Sequence, residues 1–305
     1  MYDLIVVGGG PGGVAAGVYA ARKKIKTLLI TDAFGGQSVV SSDIRNWIGL
    51  KSISGLDFAR MLEDHLRAQE GADVIDDDLV EAVEKKDGGF AVKTRGGKIF
   101  DTKYVLVAAG SRHRKLGVPG EKEFEGKGVF YCPTCDAPVF KDKVVAVVGG
   151  GNAGFEAVAD LLNYASKIYL IEELSSVRGD PVTQEKARSS FKVQIICNAS
   201  IREIFGKEFV TGLKYKDSAS GEIKELKVDG IFVEIGSVPN SDFVKSLVKL
   251  NNRGEIVVDH KTQQTSCPGI WAAGDVTDVL YKQNNISAGD AVKAVLNIYE
   301  HLNKH

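Results

Sequence analysis

Cys132 and Cys135 are set two residues apart in Cys132-Pro133-Thr134-Cys135-Asp136. A pair at that spacing can close a small disulfide ring. One thiolate then attacks a partner's disulfide and the other resolves the mixed disulfide. Downstream lies a glycine fingerprint, Gly149-Gly150-Gly151-Asn152-Ala153-Gly154, and near the start of the chain a similar one, Gly8-Gly9-Gly10-Pro11-Gly12-Gly13. A dithiol flanked by two dinucleotide loops reads as an electron path: nicotinamide to flavin to disulfide. The competing reading is half of a zinc knuckle, which would need two more ligands. Cys197 and Cys267 stand alone, and the five histidines, including His113 and His260, show no ligand spacing. No metal site is therefore expected.

The elements that position these loops follow from the apolar pattern. Leu4 to Val7 predicts a buried strand. Gly8, Gly10 and Gly13 keep the G-x-G-x-x-G spacing, an Ala-rich helix continues from Val14 to Arg22, and a second strand runs from Thr27 to Ile30. Glycines allow the tight turn, and a helix N-terminus offers free N–H groups to a pyrophosphate. The second strand ends at Thr31-Asp32, where Asp32 is either a ribose ligand or a solvated turn residue. Gly35-Gly36-Gln37 predicts a turn with an amide at its tip, and Asn46-Trp47 lies in another turn-like stretch. Phe58 to Glu70 has helical period. Val74 to Val105 reads as strands, with turns at Asp87-Gly88-Gly89 and Gly96-Gly97. Tyr104 to Gly110 returns as a buried strand whose end, Ala109-Gly110, would meet a cofactor. Pro119-Gly120 and the charged run to Lys127 read as a linker crossing between domains.

The pattern then repeats: strand Lys143 to Val148, glycine loop, helix Asn152 to Tyr164, strand Lys167 to Ile171, then Glu172-Glu173. An acid at that place accepts from a ribose 2′-OH and repels a 2′-phosphate. Arg178 is the only cation between Lys167 and Lys186. The loop therefore favours NADH over NADPH; the alternative is that Glu172 only caps a neighbouring turn. Phe191 to Ile235 gives more strands and turns, and Gly236-Ser237-Val238-Pro239-Asn240 a second crossing. Gly254 to Val258 predicts a short strand. Gly269 to Asp275 predicts a buried strand ending in an acid suited to a ribityl or ribose hydroxyl, and Ala288 to Leu302 the closing helix. Two like loops in one chain mean an internal duplication, not a solenoid.

Composition narrows the classes. A chain of 305 residues suggests about two domains. The net charge of −1 gives no reason to expect nucleic acid or an anionic membrane surface. No apolar run reaches the roughly 18 residues that span a bilayer, and Met1-Tyr2-Asp3 runs straight into a strand, so no leader is expected. Four cysteines in this length are not a disulfide scaffold, which fits a reducing, cytoplasmic compartment.

Taken together, GGGPGG at 8–13, GGQ at 35–37, NW at 46–47, CPTCD at 132–136, GGGNAG at 149–154, IGSVPN at 235–240 and AAGDV at 272–276 resemble the low-molecular-weight thioredoxin reductase family over nearly the whole chain. Tyr131-Cys132-Pro133, Tyr281-Lys282-Gln283 and Glu172 look most similar to the flavoprotein module of alkyl hydroperoxide reductase. The thioredoxin-like extension of that module is not expected, since Met1 lies almost at the first strand.

The resemblance implies an α/β fold of two Rossmann-like dinucleotide-binding domains, each a three-layer ββα unit, the second inserted into the first. Residues 1–114 and 242–305 would form the FAD domain, and 115–241 the NAD(P)H domain carrying the CxxC. It implies FAD contacts from Gly8, Gly10, Gly12, Gln37, Asn46, Asp275, Lys282 and Gln283. Further cofactor-binding candidates are Pro11, Gly13, Asp32, Gly36, Ala109, Gly110, Gly149, Gly151, Asn152, Ala153, Gly154, Glu172, Gly236, Gly274 and Asn284. It implies that Cys135 faces the flavin, that Cys132 attacks the partner, and that Asp136 is a general acid. A domain rotation and a homodimer are implied too. Ala137-Pro138 departs from the glycine usual after that acid.

The implied activity is thioredoxin-disulfide reduction, from NADH or NADPH through FAD to a thioredoxin- or glutaredoxin-like protein. The alternatives are the NADH-dependent reductase of a peroxiredoxin (alkyl hydroperoxide reductase) system, a relative with a non-nicotinamide donor, and a non-catalytic redox sensor. Cys197 and Cys267 read as small buried apolar residues.

Overall fold

The computed structural model describes residues 1–41 and 43–303. The chain forms two compact units. The first comprises Met1–Val39, Asn46–Arg112 and Val238–His305, and the second Val40–Arg45 and His113–Ser237. The long crossings thus fall at 112/113 and 237/238. The stretch 119–127, expected as a crossing, lies inside the second unit. Ile204 donates its N–H to Pro119 O at 2.9 Å, and a Cβ on Gly120 would stand 1.9 Å from Ile204 O. Proline, glycine and charge mark a tight surface turn as readily as a linker, and here they mark the turn.

In the first unit the parallel strands Ala72–Ile75, Thr27–Phe34, Tyr2–Gly9 and Ile99–Val107 lie side by side in that order. The last also pairs in parallel with Ile270–Ala272 and antiparallel with Gly89–Thr94, which pairs on to Val80–Lys86. Alternation decides the layers. Ile5, Val7, Leu28, Ile30, Val105 and Val107 share a core with Val83, Phe90 and Val92 of the antiparallel strands. Their neighbours Leu4, Val6, Leu29 and Leu106 are also buried. The strand runs are apolar throughout because both faces are covered. Helix Pro11–Arg22 packs on the closing helix Asn284–Leu302. That helix begins four residues earlier than its apolar pattern announces, because its first turn is polar. Ser287 donates its N–H to Gln283 O at 2.9 Å. The expected strand at Gly254–Val258 does not form: Ile256 and Val258 make only isolated bridges, to Leu250, Thr277 and Thr265.

The second unit repeats the plan. Its parallel sheet runs Val193–Ile196, Lys167–Ile171, Val144–Val148, Gly230–Val233, Val129–Phe130. Ala146, Val148, Ile231 and Val233 face a three-stranded antiparallel layer, Ala199–Gly206, Val210–Asp217 and Ile223–Lys227, through Ile201, Leu213 and Tyr215. Val145, Val147 and Phe232 face the helical layer through Phe155, Val158 and Leu161. Each unit is therefore a Rossmann-like three-layer ββα fold, the second inserted into the sequence of the first.

Candidate functional site

The two glycine loops are built alike. Gly8 has φ +115° and Gly149 φ +121°, values that only glycine holds without strain. A Cβ there would stand 2.4 Å from Ala108 O and 2.3 Å from Glu234 O. A Cβ on Gly13 or Gly154 would come within 1.8 Å of Gly8 O or Gly149 O, so each helix is seated directly on its own loop. The middle glycines are open: nothing lies within 4 Å of a Cβ on Gly151, and only Gly36 Cα, at 3.9 Å, on Gly10. Backbone that is bare at the helix N-terminus and tight behind it is what a pyrophosphate requires.

In the first unit this loop opens on a cavity of about 750 Å³, within the ~300–1,000 Å³ range of ligand clefts. Its walls include Gly8, Gly10, Pro11, Gly12, Asp32, Gly36, Gln37, Ala109, Gly110, Gly274, Asp275 and Asn284. Asp32 is exposed. Asp275 accepts from Ser287 Oγ at 3.2 Å, and burial, outweighing Lys282, holds its carboxyl above the usual range. The size, the open loop and an acid at each of two strand ends fit FAD.

Gly13, Asn46, Lys282 and Gln283 are not in that wall. Asn46 Nδ2 donates to Gln283 Oε1 at 3.3 Å, and Asn285 Nδ2 to Asn46 O at 2.7 Å. Lys282 Nζ is held by Thr277 O at 2.5 Å and Glu255 Oε1 at 3.0 Å. Sequence reasoning missed Arg95, Arg112, Asn240 and Phe243, which do line the cavity. Of these, Asn240 had a signal, since it closes IGSVPN. Its Nδ2 donates to Ala109 O at 2.9 Å, and its Oδ1 accepts from Arg112 Nη1 at 2.9 Å.

In the second unit Glu172 is buried at 6 % exposure. Its Oε2 accepts from Gly150 N–H at 2.7 Å and its Oε1 from Leu174 N–H at 3.0 Å. The turn-capping reading is therefore realised, and each carboxylate oxygen keeps a second lone pair for a ribose hydroxyl. A Cβ on Gly150 would stand 2.7 Å from Glu172 Oε2, so acid and glycine fit each other. The chain then folds back: Arg178 donates its N–H to Gly150 O at 2.7 Å. This brings the one nearby cation to the loop, with its side chain exposed. Asn152 Oδ1 accepts from Asp180 N–H at 2.8 Å. Ala153 is exposed, and Gly236 is exposed with φ +99°.

Glu234 follows the strand Gly230–Val233 at the back of this loop. Its Oε1 is closed off and has no hydrogen-bond partner. Burial first, then Glu156 and Asp160, push its carboxyl up to about 8. A carboxyl raised in the folded state holds its proton while the unfolded chain releases it. Stability therefore falls as pH climbs from the usual glutamate range to about 8, with the full cost, on the order of a few kcal/mol, present above that. Glu234→Gln is expected to melt at a higher temperature than the parent at pH 9 and at the same temperature near pH 5. Equal melting at both pH values in a calorimetric series would refute this.

Cys132 and Cys135 are disulfide-bonded, with Cα atoms 5.3 Å apart. Cys132 is extended (φ −136°, ψ 91°) and caps the short turn Pro133–Asp136. Its carbonyl accepts the N–H groups of Cys135 and Asp136, both at 3.1 Å. Pro133 fits the first helical position, where no N–H is needed. Thr134 Oγ1 donates to Asp160 Oδ2 at 2.8 Å. Asp136 is 4 % exposed. Burial pushes its carboxyl up to about 7, against a hydrogen bond from Ser41 Oγ at 3.4 Å. The departing residues Ala137-Pro138 open a 3₁₀ turn, Ala137–Phe140, with Ala137 buried in the core. Among the described residues no cluster of His, Cys, Asp and Glu could hold a metal. Cys267 is buried and Cys197 half-buried.

Residues 2–294 match the family model described as pyridine nucleotide-disulphide oxidoreductase. The chain is 46 % identical over 304 residues to an alkyl hydroperoxide reductase component from Pseudomonas putida, covering 99 % of this chain and 58 % of that protein. It is 41 % identical over 301 residues to the same component from Staphylococcus aureus strain Mu50, covering 99 % and 59 %. It thus spans well under two thirds of these relatives. Among solved structures it is similar to thioredoxin reductase from Streptococcus pyogenes, with TM-score 0.92, 31 % identity, and 100 % and 99 % of the two chains covered. It is also similar to thioredoxin reductase from T. acidophilum, with TM-score 0.68, 37 % identity and 99 % of each chain covered.

Proposed function

Because the chain belongs to the pyridine nucleotide-disulphide oxidoreductase family, we propose that it passes electrons from a nicotinamide through FAD and the Cys132–Cys135 pair to the disulfide of another protein. One observation carries this reading: a bonded cysteine pair followed directly by a buried acid whose carboxyl holds its proton up to about 7. FAD, when bound in the first unit, supplies two-electron redox chemistry. The chain's own residues do the rest. The Gly8–Gly13 loop and Asp275 bind and orient the dinucleotide. Cys135 accepts electrons and Asp136 protonates its thiolate. Cys132 attacks the partner's disulfide and Cys135 resolves the mixed disulfide. The balance is one nicotinamide oxidised and one protein disulfide reduced to two thiols, with one proton taken up.

The partner is a thioredoxin-like or peroxiredoxin-linked protein; thioredoxin-disulfide reduction itself is the finer reading. The curated relatives favour a second version, the NADH-dependent reductase of a peroxide-reducing system. A homodimer and a cytoplasmic setting belong to the proposal. Among the described residues no helix is long and apolar enough to cross a membrane.

Glu172 beside the second loop supports NADH as donor. Anaerobic titration of the yellow protein is expected to bleach the flavin with NADH, and at least tenfold less efficiently with NADPH. Equal bleaching by NADPH would overturn the choice of donor and direct attention to Arg178. Bleaching by neither would overturn the electron path.

A further inference from the structure

Tyr131 stands directly before Cys132, and the mechanism above gives it nothing to do. It is 7 % exposed and is held at several points. His113 stacks on its ring, with centroids 5.2 Å apart and planes 24° from parallel. The Lys115 ammonium lies 4.0 Å from the ring centroid, close enough for a cation–π contact. Its hydroxyl donates to Glu121 Oε1 at 3.1 Å. Glu121, itself 4 % exposed, also accepts the N–H groups of Leu116 at 2.8 Å and Gly117 at 2.7 Å.

Every one of these groups belongs to residues 113–121, the stretch with which the chain enters the second unit. Arg114 fastens the same stretch by donating its N–H to Gly236 O, 2.9 Å away, where the chain is about to leave. Burial, and then Lys115, hold the His113 imidazole below its usual range, so the stacked ring is neutral and keeps company with the nearby ammonium. Burial and the two carboxylates Glu121 and Glu125 push the Tyr131 phenol far up, so it stays a donor.

We propose that Tyr131 is a positioning residue for Cys132, and that the entering segment, through the His113 stack and the Glu121 bond, sets how readily the Cys132–Cys135 ring closes. The backbone of Cys132 is extended between a gripped aromatic and a one-turn helix. Fixing residue 131 fixes the direction in which the Cys132 side chain leaves the backbone just past the strand Val129–Phe130. A pre-aimed pair of thiols closes its ring with a higher effective concentration than a loose one. The inference rests on the reading of Cys132 and Cys135 as the working dithiol.

The test measures the ring itself, with neither nicotinamide nor partner protein. Reduced holoenzyme is equilibrated with glutathione: protein dithiol plus glutathione disulfide gives protein disulfide plus two glutathione thiols. The ratio is read by acid quench and mass. His113→Ala and Tyr131→Phe are each expected to lower the ring-closing constant by about tenfold. His113→Phe, which keeps a stacked ring, is expected to stay within about threefold of the parent. Flavin content should be unchanged in all three. A His113→Ala constant within twofold of the parent would overturn the proposal, even if the protein melted earlier, because the stack would then be packing alone. So would a His113→Phe variant no better than His113→Ala. If the parent closes its ring but reduces no protein disulfide with NADH, the proposed function fails and the ring comparison still stands.

Discussion

Cys135→Ser is expected to retain bound flavin and rapid bleaching by NADH while losing protein-disulfide turnover by about a thousandfold or more. The separation follows from where the parts lie. The cavity that fits FAD is walled wholly by residues of the first unit, and the second glycine loop is complete without either cysteine. A serine oxygen can neither accept the electrons nor attack Cys132 to resolve a mixed disulfide. Stopped-flow absorbance gives the first half. A coupled assay with a thioredoxin-like protein, its released thiols trapped by a chromogenic disulfide, gives the second. Turnover above a tenth of the parent's would show that electrons reach the partner without the ring, and the mechanism would fall.

Asp136→Asn should cost about a hundredfold to ten-thousandfold in dithiol formation, the usual worth of a positioned general acid. The pH profile carries the more specific signature. An ordinary aspartate would be ionised and useless as an acid at neutrality. Burial holds this one up to about 7, so its acid form persists to that pH and then disappears. The parent's rate is expected to be level below about 7 and to fall tenfold per pH unit above it. The asparagine variant should lack that limb and run slow and flat. The same shift has a stability sign. The folded protein keeps the Asp136 proton where the unfolded chain has lost it, so this residue costs stability increasingly between the usual aspartate range and about 7. Asp136→Asn should therefore be at least as stable as the parent at pH 8. A slow variant that keeps the falling limb would assign the titration to another group.

Much of the site was legible because its physics is local. Gly8, Gly10 and Gly13 announce a turn, an open backbone and a seated helix by spacing alone, as do Gly149, Gly151 and Gly154. Val144–Val148 was readable as a buried strand because its apolar run is unbroken, one face meeting Phe155 and Leu161 and the other Ile201 and Leu213. What escaped depends on partners remote in sequence. Pro119–Lys127 has a linker's composition, and only its fit against Ile204 makes it a packed turn. Gly254–Val258 has a strand's composition but no neighbour that continues its register. The ammonium of Lys282 meets Glu255 and two carbonyls, partners that its place in the sequence does not announce. Nothing in Val40–Arg45 shows that this stretch belongs with the second unit, because that membership is settled by contacts such as Ser41 with Asp136.

The way the two units divide the chain also fixes a timetable for synthesis. The second unit is continuous from His113 to Ser237 apart from the stretch Val40–Arg45. Once Ser237 has left the ribosome, every residue of its two cores is available, and it can fold as domains commonly do, while translation continues. The first unit has no such freedom. Helix Pro11–Arg22 has its packing partner in Asn284–Leu302, and the strand Ile270–Ala272 that completes its sheet also comes late. Its first hundred residues must wait, apolar strands and all, until Ile270–Ala272 and Asn284–Leu302 have been made. Between the emergence of Ser237 and that of the helix Asn284–Leu302 a nascent protein of this kind has one unit able to fold and the flavin unit still open, and that is the interval in which it most needs a chaperone.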